Sequence, residues 1–422
     1  MLSVLLLEDS MKPAFNSLEQ NSLGDILSSQ ELSLAAIPAN LLSTKPMPLR
    51  SRPEFELLVA CCGFARQAEL SALLMQFLDW DYVLDAAERH RLIPALDKAL
   101  ASKTSMAKWR PLRACALTHA WRSLNLIAEL KRIASQFERF GIPSLAYKGP
   151  ALGRLLYGDP AMRQFGDLDF LVKTDDVARA GLALQELGYT PKLRLPSRQE
   201  TSHLRSGYEH TFSLNSERPL VEVQWQIVPR FYAIDFDIEA IFQRSAEIDL
   251  GGYKLRTLGY DDSMLVLCVH AAKHEWSQLG MLRDITTLAQ FDLNWKWIVG
   301  EARRLGILKI LQASLLAGKH LFGISLPGLI LSQGVAPDAF QLATRIIKKL
   351  EDGCEPNTES LSYFRNQLQV RERWQDKARF VSRLVITPSV AEWSTVQLPS
   401  PLFSLYRGIR VARLLKKIVR SH

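Results

Sequence analysis

Cysteine is scarce in this sequence, and long apolar runs are missing. Five cysteines (Cys61, Cys62, Cys115, Cys268 and Cys354) are scattered along 422 residues, with no Cys-x-x-Cys pair. That spacing supports neither a zinc ribbon nor a disulfide framework. It reads as reduced, mostly buried thiols, which fits the cytoplasm. No uninterrupted apolar run approaches about 18 residues, so no membrane-spanning helix is expected. The opening MLSVLLLEDSMKP has no basic residues before its apolar run and no cleavage motif, which argues against a signal peptide. Internal repeats and low-complexity tracts are also lacking. Acidic residues are missing from the end of the chain. Between Pro401 and His422 stand Arg407, Arg410, Arg413, Lys416, Lys417 and Arg420 and no Asp or Glu, so six of the net +8 charges lie there. The remainder is nearly neutral, which excludes a nucleic-acid surface spread over the whole protein.

What is present is ordinary for a globular chain: 47% hydrophobic and 23% charged residues. A chain this long buries a large core unaided and has room for two or three structural units. Residues 1–50, with Ser, Asn and several prolines, read as a loosely ordered lead-in. Residues 51–140 read as helical, with Leu124, Ile127, Leu130, Ile133 and Phe137 recurring every three or four positions up to Gly141. Residues 141–255 read as an α/β core and 256–422 as a second helical region. The fold class is therefore α+β: a small sheet with its own helices between two helical flanks. Within the core, short strands are expected at Leu145 to Tyr147 and Leu168 to Val172. Thr174 is positioned to cap the next helix. The polar, basic stretch from Lys192 to Gly207 reads as a mobile loop. Tyr208 to Leu214 and Leu220 to Ile227 alternate around a polar link and read as a hairpin. A further helix is expected from Gln367 to Thr387.

The stretch from Leu145 to Val172, LAYKGPALGRLLYGDPAMRQFGDLDFLV, carries the chemistry. A strand places residues i and i+2 on one face, roughly 6 to 7 Å apart. Asp167 and Asp169 then share a face. Two carboxylates held that close resist joint ionisation, and a hard divalent cation such as Mg²⁺ removes the conflict. A glycine turn leading into a helix, Lys148-Gly149-Pro150, lets backbone approach a phosphate closely; the plainer reading is a simple strand-to-helix turn.

These residues (Lys-Gly, then Arg163-x-x-x-Asp167-x-Asp169 amid apolar neighbours) resemble the nucleotidyltransferases of the polymerase-β-like superfamily. More narrowly they resemble the bacterial group labelled uncharacterised nucleotidyltransferase. The resemblance runs over about Ile142 to Leu255 and more weakly through the C-terminal half. It implies a small mixed nucleotidyltransferase sheet, a nucleoside triphosphate substrate and Mg²⁺, or alternatively Mn²⁺, held by Asp167, Asp169 and a third carboxylate matched by Glu222. In-line attack on the α-phosphate by an acceptor hydroxyl is the implied reaction. The acceptor could be a small molecule, a protein or RNA. Lys148, Gly149, Arg163 and His274 are the candidate nucleotide and phosphate contacts. The chain departs from the pattern with Gly149-Pro150, where Gly-Ser or Gly-Gly is usual, and with Glu222-Val223-Gln224, where Asp-x-His is usual. Those departures motivate an alternative: a decayed transferase core acting as a nucleotide- or partner-binding module.

Three features admit more than one reading. His270 and His274, four apart, share a helical face. They could line a cleft, form a buried hydrogen-bonded core or bind zinc, although the Glu that follows the first His in the zincin pattern is missing. Arg283 and Asp284 read as a structural ion pair or, alternatively, as contacts to a base. The helix over 401–422, with Leu405, Ile409, Leu414, Leu415 and Ile418 opposite its basic residues, could dock on the protein itself, lie on an anionic membrane surface or touch nucleic acid.

Overall fold

The computed structural model describes residues 52–420 apart from 102, 104, 105, 215–219, 327, 329, 331–336, 354–356, 358, 359, 388–397, 399–401, 403 and 404. The expected lead-in over 1–50, the polar link 215–219 and Cys354 lie outside the described residues. Four short helices come first: α1 (Pro53–Cys61), α2 (Leu70–Leu74), α3 (Trp80–Arg89) and α4 (Ile93–Leu100). Pro53 opens α1, and the Asp79 side chain caps α3 by accepting from Tyr82 N at 3.1 Å. Then comes α5 (Met106–Arg139), 34 residues long, ending where Gly141 turns the chain at φ +63°. Its C-terminal half buries Leu126, Leu130, Ile133 and Phe137.

The sheet follows, with strands β1 (Ser144–Ala146), β2 (Asp167–Val172), β3 (Thr190–Pro191), β4 (Glu209–Ser213) and β5 (Leu220–Gln224) in the order β1-β2-β5-β4-β3. Only β2 and β5 run parallel; the other neighbours are antiparallel, so the sheet is mixed. The expected hairpin is β4–β5. Asp169 stands opposite Glu222 and Phe170 opposite Val223 in the β2–β5 register. One face, bearing Phe170, packs on α5, with the Phe137 ring 5.2 Å from that of Phe170. A separate two-stranded sheet, β6 (Ala246–Asp249) with β7 (Lys254–Thr257), closes this region.

Helices α6 (Gly149–Tyr157), α7 (Val177–Glu186), α8 (Ser197–Ser206) and α9 (Ile238–Gln243) lie within the sheet region, and α10 (Tyr260–Lys273), α11 (Leu279–Leu288), α12 (Trp295–Leu305) and α13 (Leu308–Phe322) follow it. Residues 51–422 form one compact unit. No described helix is long and apolar enough to cross a membrane.

The structure corrects three expectations. Ser197–Ser206, inside the expected mobile loop, is a helix, α8. Its side chains are too polar to show periodicity, but Trp225 on the sheet reaches over it to donate to Leu204 O at 3.0 Å, and His203 packs edge-on against the Trp225 ring. Thr174 does not cap a helix. It begins a short 3₁₀ turn, Thr174–Asp176, and α7 starts at Val177 without a side-chain cap. The expected Gln367 to Thr387 helix is two, Leu361–Gln369 and Trp374–Ile386, parted by a turn in which the Arg373 side chain pairs with Asp376 at 2.6 Å. Of the cysteines, Cys61, Cys62 and Cys268 are buried free thiols and Cys115 is exposed. The C-terminal helix Tyr406–Arg420 docks on the body at its start. Tyr406 is buried, and Arg410 Nε donates to Leu384 O at 2.6 Å.

Candidate functional site

The chain turns at Gly149, which adopts φ +51°, a conformation that costs an L-residue with a side chain. A Cβ there would also stand 3.2 Å from Asp167 O, so α6 starts hard against the first residue of β2. That approach brings Lys148, just before α6, onto Asp169: the ammonium donates to Asp169 Oδ1 at 2.7 Å. Asp169 is only 2% exposed, as buried as the leucines beside it. Burial, the largest single effect, disfavours the Lys148 charge, but Asp169, Tyr147 and Glu222 together outweigh it and hold the lysine protonated well above its ordinary range.

Gln224, two residues beyond Glu222 on β5, ties the carboxylates together. Its Nε2 donates to Glu222 Oε2 at 2.7 Å, to Asp169 Oδ1 at 3.1 Å and to Glu209 Oε2 at 3.3 Å. The Tyr147 hydroxyl donates to Gln224 Oε1, which turns the amide nitrogen toward the acids. Glu222 is pushed up to about 8, by burial first and then by the negative charges of Asp169 and Glu209. The Asp167 carboxyl is raised too, by burial and by Asp169, against the pull of Lys148, Arg163 and Arg91. On the far side of this cluster Lys273 Nζ donates to the Tyr208 hydroxyl at 3.0 Å, and burial draws that lysine below its ordinary range.

A cleft of about 220 Å³ opens over Asp167 and Asp169. Lys148, Arg163, His270 and His274 line it, as do Arg91, Gln164, Arg283 and Asp284. His270, on the last turn of α10, and His274, just past its end, both line the cleft, with their rings 4.6 Å apart. Burial and neighbouring lysines pull His270 well down and His274 to about 4, so both are neutral at neutral pH and offer hydrogen bonds, not charge. Arg283 and Asp284 are not an ion pair. Adjacent residues on a helix point about 100° apart. Asp284 accepts from Arg163 Nε at 2.8 Å and from the Tyr157 hydroxyl at 2.7 Å, while Arg283 donates to Met162 O at 3.1 Å.

Among the described residues no three His, Cys, Asp or Glu side chains already stand grouped as metal ligands. An ammonium and an amide already occupy the carboxylates. The donor set nevertheless suits a hard cation. Asp169 Oδ2 is buried with no hydrogen-bond partner, Asp167 lies two residues away on the same strand, and Glu222 is in register beside Asp169.

The sequence profile of the uncharacterised nucleotidyltransferases matches residues 77–323, more than half of the chain. The chain belongs to that family. Among solved structures, an antigenic nucleotidyltransferase-like protein from Paracoccidioides brasiliensis is 14% identical, over 52% of this chain and 92% of that one, with a TM-score of 0.31. At that score the likeness is loose. No curated protein matches. The family match begins in the helical region before the sheet and ends with α13, so it takes in both walls of the cleft.

Three participants were not singled out from sequence as site residues. Glu209 was findable, because it alternates onto the face that carries Glu222 across the hairpin. Arg91 and Gln164 carried no local signal; Arg91 reaches the cleft only through long-range packing, while Gln164 stands three residues before Asp167.

Proposed function

We propose that this member of the nucleotidyltransferase family moves a nucleoside monophosphate from a nucleoside triphosphate to an acceptor hydroxyl, with Mg²⁺ or Mn²⁺ as cofactor. The observation that carries the reading is the crowding of Asp167, Asp169 and Glu222 on adjacent parallel strands, with one Asp169 oxygen buried and unpartnered. These three residues would hold the cation, which when bound supplies charge stabilisation at the reacting phosphate. Lys148, now paired with Asp169, faces the cleft and supplies positive charge to the phosphates. Arg163 is braced by Asp284 and lends a second cation. His270 and His274, neutral, donate hydrogen bonds from the opposite wall. The acceptor oxygen attacks the α-phosphorus as the bond to pyrophosphate breaks. With the cation bound and its carboxyl ionised, Glu222 would take the acceptor proton. Nothing in the cleft singles out a small-molecule, protein or RNA acceptor.

A second reading has a specific observation behind it. The Lys148–Asp169 ion pair and the Gln224 clamp already balance these carboxylates without a metal, as a nucleotide- or partner-binding module would need. The deciding experiment is label transfer from α-³²P nucleoside triphosphates in host-cell lysate with Mg²⁺ or Mn²⁺. We expect a labelled product with wild type and background with Asp167→Asn/Asp169→Asn. Equal labelling by the two proteins, or no label despite intact nucleotide binding, would refute transfer at this site and favour the binding module.

A further inference from the structure

Four cationic side chains line the cleft, and two of them are spent on carboxylates: Lys148 on Asp169 and Arg163 on Asp284. The other two are not. Arg283 is 7% exposed and lies 4.3 Å from the Tyr157 ring centroid, yet its Nε is buried without a hydrogen-bond partner. A buried guanidinium N–H left unmatched is costly and points to an acceptor that arrives from outside. Arg91 is exposed, and its guanidinium neither bonds to nor pairs with any described residue.

Arg91 is also held in place with effort. Its φ of +59° is left-handed, a conformation that a long side chain disfavours. The surroundings enforce it. Before Arg91, His90 O accepts from Gly280 N at 3.0 Å and His90 Nδ1 accepts from Leu279 N at 3.3 Å. After it, Ile93 N donates to Gln164 Oε1 at 2.7 Å. A Cβ on Gly280 would stand 3.0 Å from His90 O, so this approach needs the glycine. The backbone is thus pinned between α11 and the segment leading into β2. The Arg91 charge acts on Asp167. Strain that surrounding contacts over-determine, at an unpaired arginine facing a carboxylate across a cleft, marks a built binding element.

We propose that Arg91 and Arg283 together receive the phosphates beyond the one that reacts, so that the helical walls, not the sheet, select a triphosphate over a monophosphate. Their guanidinium forks suit phosphate oxygens in pairs. This inference rests on the nucleotidyltransferase reading for its substrate class.

The probe is inorganic tripolyphosphate, with orthophosphate alongside, titrated calorimetrically into the full chain in Mg²⁺ buffer. Wild type should bind tripolyphosphate more tightly than orthophosphate. Arg91→Gln should weaken tripolyphosphate by about tenfold or more, the size of a lost charge-assisted hydrogen bond, and leave orthophosphate unchanged. Arg110→Gln, at an exposed arginine that does not line the cleft, should change neither. Arg283→Lys should also weaken tripolyphosphate, but that side chain is buried, so the exposed Arg91 decides. Full affinity in a folded Arg91→Gln, an equal loss in Arg110→Gln, or no tripolyphosphate binding by folded wild type each overturns the inference. Label transfer separates it from the reading beneath it. A wild type that transfers label while Arg91→Gln keeps full affinity overturns only this inference. A wild type that binds tripolyphosphate through Arg91 yet transfers nothing leaves it standing and removes the enzyme.

Discussion

The two faces of the sheet are built from alternate residues of the same strands, and they solve opposite problems. Leu168, Phe170, Val221, Val223 and Phe212 form one face, buried against helices and satisfied by packing alone. Asp167, Asp169, Glu222, Gln224 and Glu209 form the other. Asp169 there is as excluded from water as Phe170, yet its side chain depends on Lys148 and Gln224 for its hydrogen bonds. An apolar face is stable on its own account. A buried carboxylate is stable only while its partner stays, and a partner that can leave is what a binding site needs.

That contrast can be broken most directly from the apolar side. Phe170→Ala should cost about 4 kcal/mol, the usual range for a buried aromatic, because it removes the ring packed on Phe137 and leaves a cavity. Equilibrium denaturation measures this, and a loss below about 1 kcal/mol would show that this face is not the anchor. On the polar side, Lys148→Met should cost about 3 kcal/mol by stranding the Asp169 charge. Adding Asp169→Leu should recover most of that loss, since an apolar pair needs no partner. Failure of the double variant to recover would mean that Lys148 acts through packing and not through charge.

A smaller effect sharpens the comparison outside the sheet. His90 is buried, accepts from Leu279 N, and burial followed by the Arg89 charge lowers it to about 4 from an ordinary 6.5. The unfolded chain then binds the proton more readily than the folded one. Stability should therefore be full above about pH 6.5 and fall as the pH drops toward 4. The loss between pH 7.5 and pH 5 should be about 2 kcal/mol. Denaturation midpoints at the two pH values test it, with His90→Gln as the control in which this part of the slope vanishes.

The parts of the site that could be read in advance are those fixed within a few residues. Asp167 and Asp169 share a face because a strand has period two, and the β4–β5 hairpin follows from its alternation, which places Glu222 opposite Asp169 once the strands pair. Helix α8 escaped notice because its residues are polar and its stability comes from Trp225 and His203, a contact that no local pattern encodes. The Arg283–Asp284 pairing failed for a geometric reason, since neighbours on a helix diverge. Asp284 found its partner in Arg163, far away in sequence.

What the chain determined by itself is the α+β class, the carboxylate strand, the glycine turn before α6 and the largely neutral body with a basic end. These depend on side-chain periodicity, backbone conformational preference and charge, all local properties. The tertiary structure alone decided which charges meet. It set Lys148 on Asp169, turned Gln224 toward three acids and carried Arg91 to the cleft through His90 and Gly280. The physical reason is that an ion pair or a clamp is defined by distance in space, and distance between remote residues exists only once the core has packed.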